Sequence, residues 1–285
     1  MAIPQRIVRR IEGLESLDRV ARPFADRAKR ATRSTGVKNV LSGTWLGHPL
    51  HPMLTDLPIG AWVTAGVLDV SAGKAGAGAA RRLVGLGVAT ALPTAAAGWS
   101  DWSDTYGADQ RVGLVHALGN VAAVTLQLGS YLCRRRGHRV IGITLSSVAL
   151  GAVMVTGYLG GHLSYNRGVG VNRTAFDEPV TDWVDVAATD DLSSGGRPLR
   201  VMAKGVPVML VRAGEDVIAL SAICVHAGGP LDEGKLLDGS VRCPWHGSVF
   251  RLSDGKVLRG PASVTQPVWD ARVDDGRIQV RNRAS

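Results

Sequence analysis

Cysteine, aromatic residues and acidic residues are all scarce in this chain. Only 3 of 285 residues are Cys. Two of these stand in paired motifs taken up below, and Cys133 stands alone beside Arg134, so no disulfide framework can hold the fold together. Aromatics make up 5% of residues although 45% are hydrophobic, and Gly numbers 36. Apolar sequence rich in Gly and Ala but poor in aromatics points to closely packed membrane helices. Lys and Arg number 33 against 24 Asp and Glu. Most of that excess sits in residues 1–47, with 10 basic and 4 acidic residues, whereas residues 181–285 balance at 13 each. No aromatic–basic interleaving or nucleic-acid motif accompanies the tail, which argues against a nucleic-acid partner. No continuous apolar stretch follows Arg9-Arg10, so no signal peptide or twin-arginine signal is expected.

What is present divides into four parts. Residues 1–47 form a basic amphipathic tail. It places Ile3, Ile7, Ile11, Leu14, Leu17, Ala21 and Phe24 at helical spacing among many Arg residues. Pro23 is expected to split it into two helices. Its apolar stripe suits an anionic lipid surface, packing on the rest of the protein, or self-association. Residues 48–163 carry four apolar segments, at 54–72, 83–100, 112–133 and 140–161. The last two run 22 residues each without Asp, Glu, Lys or Arg, long enough to cross a bilayer. Asp69 makes the first segment the weakest. Residues 164–180 form a short linker with Gly168, Gly170 and Pro179. Residues 181–285 read as an antiparallel β domain. Strands at 206–211 and 217–221 are split by Gly214-Glu215-Asp216, and hairpins turn at Ser253-Asp254-Gly255 and Asp274-Asp275-Gly276.

The β domain carries Cys224-Val225-His226 and Cys243-Pro244-Trp245-His246, with 16 residues between His226 and Cys243. Two thiolates and two imidazoles at these spacings suit a zinc site or a mixed-ligand iron–sulfur site. Each loop delivers one Cys and one His, which favours a [2Fe–2S] cluster with both Cys on one iron and both His on the other. Gly228-Gly229-Pro230-Leu231 follows the first half and Gly247-Ser248-Val249-Phe250 the second. In these features the stretch resembles the Rieske ferredoxin family. The resemblance implies that Cys224 and Cys243 hold the inner iron and that His226 and His246 hold the outer, solvent-near iron.

Two departures from the family pattern bear on function. Rieske subunits of cytochrome bc-type complexes have an extra Cys in each loop, joined as a disulfide. Gly229 and Trp245 stand at those places here. Those subunits also use a Ser and a Tyr hydroxyl to raise the cluster potential. Ser248 is present, but Phe250 replaces the Tyr. A potential below the bc-type and nearer to dioxygenase ferredoxins is expected, with Ser248 lifting it part way.

The membrane part resembles an uncharacterised family of four-span proteins that open on His-Pro-x-His-Pro. The matching residues run from His48-Pro49-Leu50-His51-Pro52 through Gly98-Trp99-Ser100-Asp101-Trp102 to Gly160-Gly161-His162. That resemblance supplies a fold and no activity. Threaded up and down, the spans gather His48, His51, His116 and His162 towards the face that receives the Rieske domain. These four are a candidate second site for a b-type haem or another metal; backbone bonds or helix caps are the alternative. His116, Asn120 and Gln127 mark one face of the third span, expected to point into the bundle.

The resulting expectation is an α-helical four-span bundle followed by an all-β Rieske domain. It would be an electron-transfer component rather than a stand-alone catalyst, relaying single electrons between a membrane carrier, such as the quinone pool, and a redox partner protein. A cluster-based redox or iron sensor acting on the membrane domain is the alternative. A terminal oxygenase is disfavoured, because His226 and His246 are the only histidines after residue 181. The expected location is the cell (inner) membrane, multi-pass. Charge gives two answers for orientation. The loop arginines favour an external Rieske domain, whereas export of the basic tail and of a folded cluster domain is disfavoured. The balance falls on a cytoplasmic Rieske domain.

Overall fold

The computed structural model describes residues 3–192 and 197–283. The chain forms two compact units: residues 1–33 with 49–169, and residues 34–48 with 170–285.

The first unit is helical. Helices α1 (Ile3–Gly13) and α2 (Asp18–Ala31) precede four long ones, α4 (Leu50–Ser71), α5 (Ala77–Trp102), α6 (Gly107–Arg135) and α7 (Arg139–Gly161). The last four are long and apolar enough to cross a membrane. Each starts ahead of its apolar run, and in α6 a polar side chain of the first turn finds a partner. Gln110 donates from its Nε2 to the Thr105 carbonyl at 2.8 Å. Pro58 and Pro93 lie inside α4 and α5. Pro58 cannot bond to the Leu54 carbonyl one turn back, and the Thr94 hydroxyl of α5 donates to that oxygen at 3.2 Å instead. Trp62 of α4 lies against Gly87 of α5, where a Cβ would come within 2.2 Å of the indole nitrogen. That nitrogen donates to the Val84 carbonyl.

Asp69, which weakened the first apolar run, is neutralised inside the bundle. Its carboxylate receives Arg134 from α6 at 2.5 Å and Arg139 from α7 at 3.2 Å, and the Asp69 and Arg134 side chains are each 3% exposed. The polar face of α6 turns towards α7. Thr156 donates to Asn120 Oδ1 at 2.9 Å, and Ser146 donates to the fully buried Gln127 at 3.0 Å.

The N-terminal stretch departs from expectation in two ways. Pro23 sits within α2 rather than ending a helix. The chain breaks earlier, at residues 14–17, where Arg111 of α6 binds the Asp18 carboxylate at 2.7 Å and the Glu12 carbonyl at 2.7 Å. Anchoring both flanks of the break to one guanidinium fixes the turn there, and α2 tolerates one missing bond at Pro23. Nor is the stretch one tail. Val8 packs with Val112 and Leu159 of the bundle, whereas α3 (Thr35–Ser42) belongs to the second unit.

Apart from α3 and short turns, the second unit is built of two antiparallel sheets. Six strands run in the order β1-β10-β9-β4-β3-β2 and four in the order β5-β6-β7-β8. In the first sheet these are β1 (Val184–Ala188), β2 (Leu199–Ala203), β3 (Val206–Ala213), β4 (Asp216–Ser221), β9 (Val268–Asp274) and β10 (Arg277–Asn282). The second comprises β5 (Lys235–Leu237), β6 (Ser240–Arg242), β7 (Val249–Arg251) and β8 (Val257–Arg259). Strand β3 is buried on both faces. Val208 and Leu210 join Trp269 and Ile278 in one core, and Met209 and Val211 join Leu220 and Phe250 in another, as the two-residue period of a strand requires.

Asp69→Asn leaves Arg134 buried without a counter-charge. The expected loss is roughly 3–5 kcal/mol, read as a lower thermal midpoint of the detergent-purified protein. Paired replacement of Asp69 and Arg134 by Leu and Met should recover most of it.

Candidate metal centre

Two loops of the β unit present the paired motifs. The first follows β4 and the second joins β6 to β7. Each closes on itself in the same way. Cys224 N donates to Gly229 O at 2.8 Å, and Gly228 N to Cys224 O at 2.9 Å; Cys243 N donates to Ser248 O at 2.8 Å, and Gly247 N to Cys243 O at 3.1 Å. The fold-back needs left-handed backbone at the fourth residue after each Cys. Gly supplies it at Gly228 (φ 84°) and Gly247 (φ 73°).

The loops meet through their thiols. The interaction between the two thiols holds the Cys243 pKa below the ordinary thiol value and pushes that of Cys224 up, to which burial adds. Backbone N–H groups of His226 and Ala227 point at Cys224 Sγ, and those of Trp245 and His246 at Cys243 Sγ. Four N–H donors thus favour negative charge on two buried sulfurs. The His226 and His246 rings lie 5.0 Å apart between centroids. Burial pushes the His226 pKa down to about 3, with further contributions from His246, Lys38 and Arg173. Its Nδ1 is buried and makes no hydrogen bond. Two thiols reached by backbone N–H donors, together with an imidazole nitrogen that has no protein partner, form a donor set suited to iron.

Residues outside both motifs hold this arrangement in place. Gln266, fully buried, donates from Nε2 to Ser221 O (2.9 Å) and Ile223 O (2.7 Å), and its Oε1 accepts from Val225 N (3.1 Å). Asn39 of α3 donates to Leu258 O at 3.1 Å and accepts from Gly260 N at 2.9 Å, tying α3 to the end of β8. Lys38 beside it is 3% exposed. Arg173 N donates to Val225 O, so part of the expected linker is fixed on the first loop. Sequence spacing gave no sign of Gln266, Asn39, Lys38 or Arg173, because each acts through backbone groups or charge far along the chain.

The three flanking residues singled out in the sequence all lie here. Ser248 is buried and its Oγ accepts from Ala262 N at 3.0 Å. Phe250 is fully buried in the core that contains Cys224 and Cys243. Trp245 is 55% exposed. Its ring lies against Gly229, where a Cβ would stand 2.8 Å from Cys243 Sγ and 3.1 Å from the indole. Cys133, Cys224 and Cys243 are all unbridged.

Among the described residues, no group of His, Cys, Asp and Glu suited to a metal gathers His48, His51, His116 and His162, so the haem or metal expectation finds no support in the bundle. His48 belongs to the β unit, whereas His51, His116 and His162 belong to the helical one. His51 Nδ1 meets the Thr94 carbonyl at 2.9 Å. His116 donates from Nδ1 to Thr156 O at 2.8 Å and accepts at Nε2 from Asn120 at 3.1 Å. His162 pairs Nε2 with Glu12 at 3.0 Å and Nδ1 with Asn166 at 3.3 Å. Both ring nitrogens of His116 and His162 are therefore already engaged, one within the residue's own helical segment and one with another helix. Polar groups in an apolar bundle are matched locally rather than gathered on one ion.

Residues 182–270 match the Rieske [2Fe-2S] domain, and residues 47–173 match a predicted membrane protein family (DUF2231). Ferredoxin CarAc of Metapseudomonas resinovorans is 31% identical over 34% of this chain and 92% of its own length. The chain belongs to the Rieske [2Fe–2S] family. The anthranilate 1,2-dioxygenase ferredoxin subunit of Burkholderia cepacia is 27% identical over 35% of this chain and 93% of its own. The cytochrome b6-f complex iron-sulfur subunit of Prochlorococcus marinus (strain NATL1A) is 35% identical over 48% and 77%. The β unit is thus a Rieske electron-transfer domain, implying a [2Fe–2S] cluster, and it follows a four-helix membrane domain in a multi-pass membrane protein.

Gln266→Leu keeps volume but removes three hydrogen bonds and strands buried backbone groups of the first loop. A loss of roughly 2–4 kcal/mol is expected, measured as a lower unfolding midpoint of the whole chain. Asn39→Ala should cost about 1–3 kcal/mol by the same reasoning at α3.

Proposed function

We propose that the protein is a membrane-anchored carrier of single electrons in which Cys224 and Cys243 hold one iron and His226 and His246 the other. The observation that carries this reading is the buried, unpartnered Nδ1 of His226, on the same loop pair as two sulfurs that receive backbone N–H donors. When bound, the cluster supplies reversible one-electron chemistry. The residues of the chain do the rest. Gly228 and Gly247 shape the loops, the four N–H groups stabilise charge on sulfur, and the Phe250 core keeps water away. Trp245, exposed next to His246, gives a partner protein an aromatic surface at the histidine end.

The donor and acceptor belong to this reading as classes: a membrane redox carrier such as a quinone on one side and a redox protein on the other. Its setting is the cell (inner) membrane, with the Rieske domain in the cytoplasm. No disulfide is present to demand an oxidising compartment. The potential falls below that of bc-type subunits, because Phe250 offers no hydroxyl. Ser248 keeps its proton available for one donor bond towards the cluster.

Detergent-purified full chain, reduced with dithionite, should give a Rieske EPR signal with about two irons and two acid-labile sulfides per chain and no haem Soret band. Cys243→Ser should abolish the signal. Zinc in place of iron would overturn the reading. Ser248→Ala should lower the reduction potential and Phe250→Tyr should raise it, each in an EPR-monitored redox titration. A hydrogen bond worth about 1 kcal/mol more in one oxidation state corresponds to roughly 40 mV for a one-electron couple.

A further inference from the structure

The helical unit has one acid at the end where α5 begins and α6 finishes, and that acid is already paired. Asp69 binds Arg134 and Arg139, and residues 70–100 and 110–176 contain no Asp or Glu. Arg81, Arg82 and Arg135 remain at that end, and no carboxylate among the described residues pairs with them. They line one groove between α5 and α6, with a volume of about 770 Å³.

The groove changes character along its length. Arg81, Gly85 and Val88 recur at i, i+4 and i+7 on α5, and Leu128, Tyr131 and Arg135 at i, i+3 and i+7 on α6, so each set makes one stripe. The helices are antiparallel neighbours, which brings the three guanidiniums to one mouth and Val88, Ala89 and Leu128 to the floor beyond. Gly85 lets the Tyr131 ring close on α5; a Cβ there would lie 2.9 Å from the ring. The Arg135 guanidinium stands 5.8 Å from the centroid of the same ring. An aromatic at the interface level, cations above it and apolar side chains below repeat the layering of a lipid leaflet.

We propose that this groove is a binding site for one anionic phospholipid, its phosphate held by Arg81, Arg82 and Arg135 and an acyl chain laid over Val88, Ala89 and Leu128. Guanidinium forks match phosphate oxygens in pairs. Three of them without a protein counter-charge select an anionic headgroup over a zwitterionic one. The apolar floor separates a lipid from a free anion, which would use the mouth alone.

The test is native mass spectrometry of the delipidated full chain titrated with phosphatidylglycerol, phosphatidylcholine or inorganic phosphate. The unaltered chain should retain one phosphatidylglycerol, with at least tenfold weaker binding of phosphatidylcholine. Arg81→Gln/Arg82→Gln/Arg135→Gln should lose that lipid tenfold or more, whereas Lys74→Gln/Arg136→Gln, outside the groove, should keep it. Ala89→Phe, at an exposed position that leaves the fold intact, should block the lipid by filling the floor. The proposal is overturned if both sets of Gln variants bind equally, since the charge then acts diffusely. It is overturned equally if phosphatidylcholine matches phosphatidylglycerol, if inorganic phosphate displaces the lipid at comparable concentration, or if Ala89→Phe binds as the unaltered chain does.

Discussion

Two cysteines from separate loops have to be brought together in one buried core, and the β unit around them is arranged to do so. Neither loop has regular secondary structure to hold it. Each instead satisfies its own backbone through a pair of hydrogen bonds around a glycine with positive φ. The Gln266 carboxamide then meets three backbone groups near the first loop. A buried carboxamide is stabilising only when its donors and acceptor are all matched. Here a single side chain fixes the entry to the loop without engaging the sulfurs or the His226 nitrogen.

The helical unit solves a related problem by different means. Hydrophobic burial gives little discrimination between apolar helices in lipid, so register comes from small residues and polar contacts. Trp62 against Gly87, Thr94 with the carbonyl that Pro58 frees, and the Asp69 pairing with two arginines each tie two or three helices at a defined height. The histidines belong to the same set of fastenings. His116 ties α6 to α7 through the Thr156 carbonyl, and His162 reaches Glu12 of α1.

Much of this was legible in the sequence, for reasons that differ by feature. The Cys-x-His and Cys-x-x-His spacings are local, so the two loops that carry them could be read directly. Apolar runs of 22 residues likewise announce spans, and the strand pairs on either side of Gly214-Glu215-Asp216 and Asp274-Asp275-Gly276 formed as read. Long-range pairings were not legible. Asn39 meets residues more than 200 positions away, and nothing in its own surroundings marks it. Grouping the membrane histidines finds no support, because a shared membrane face does not by itself bring side chains to one point. The break expected at Pro23 failed because Arg111, more than 90 residues distant, determines where the N-terminal helices part.

Helix α3 comes before the four apolar helices in the chain, and strand β8 comes after them, yet the two are joined by the Asn39 hydrogen bonds. A contact between a segment ahead of the spans and one behind them imposes parity: the chain must cross the bilayer an even number of times between them. Four crossings meet that condition, and three or five would leave α3 and β8 in different aqueous compartments. The docking of one eight-residue helix therefore checks the span count by a route that uses no hydropathy. It also sets an order of assembly, since α3 emerges from the ribosome long before its partner and the cluster unit is complete only after the last span has been made.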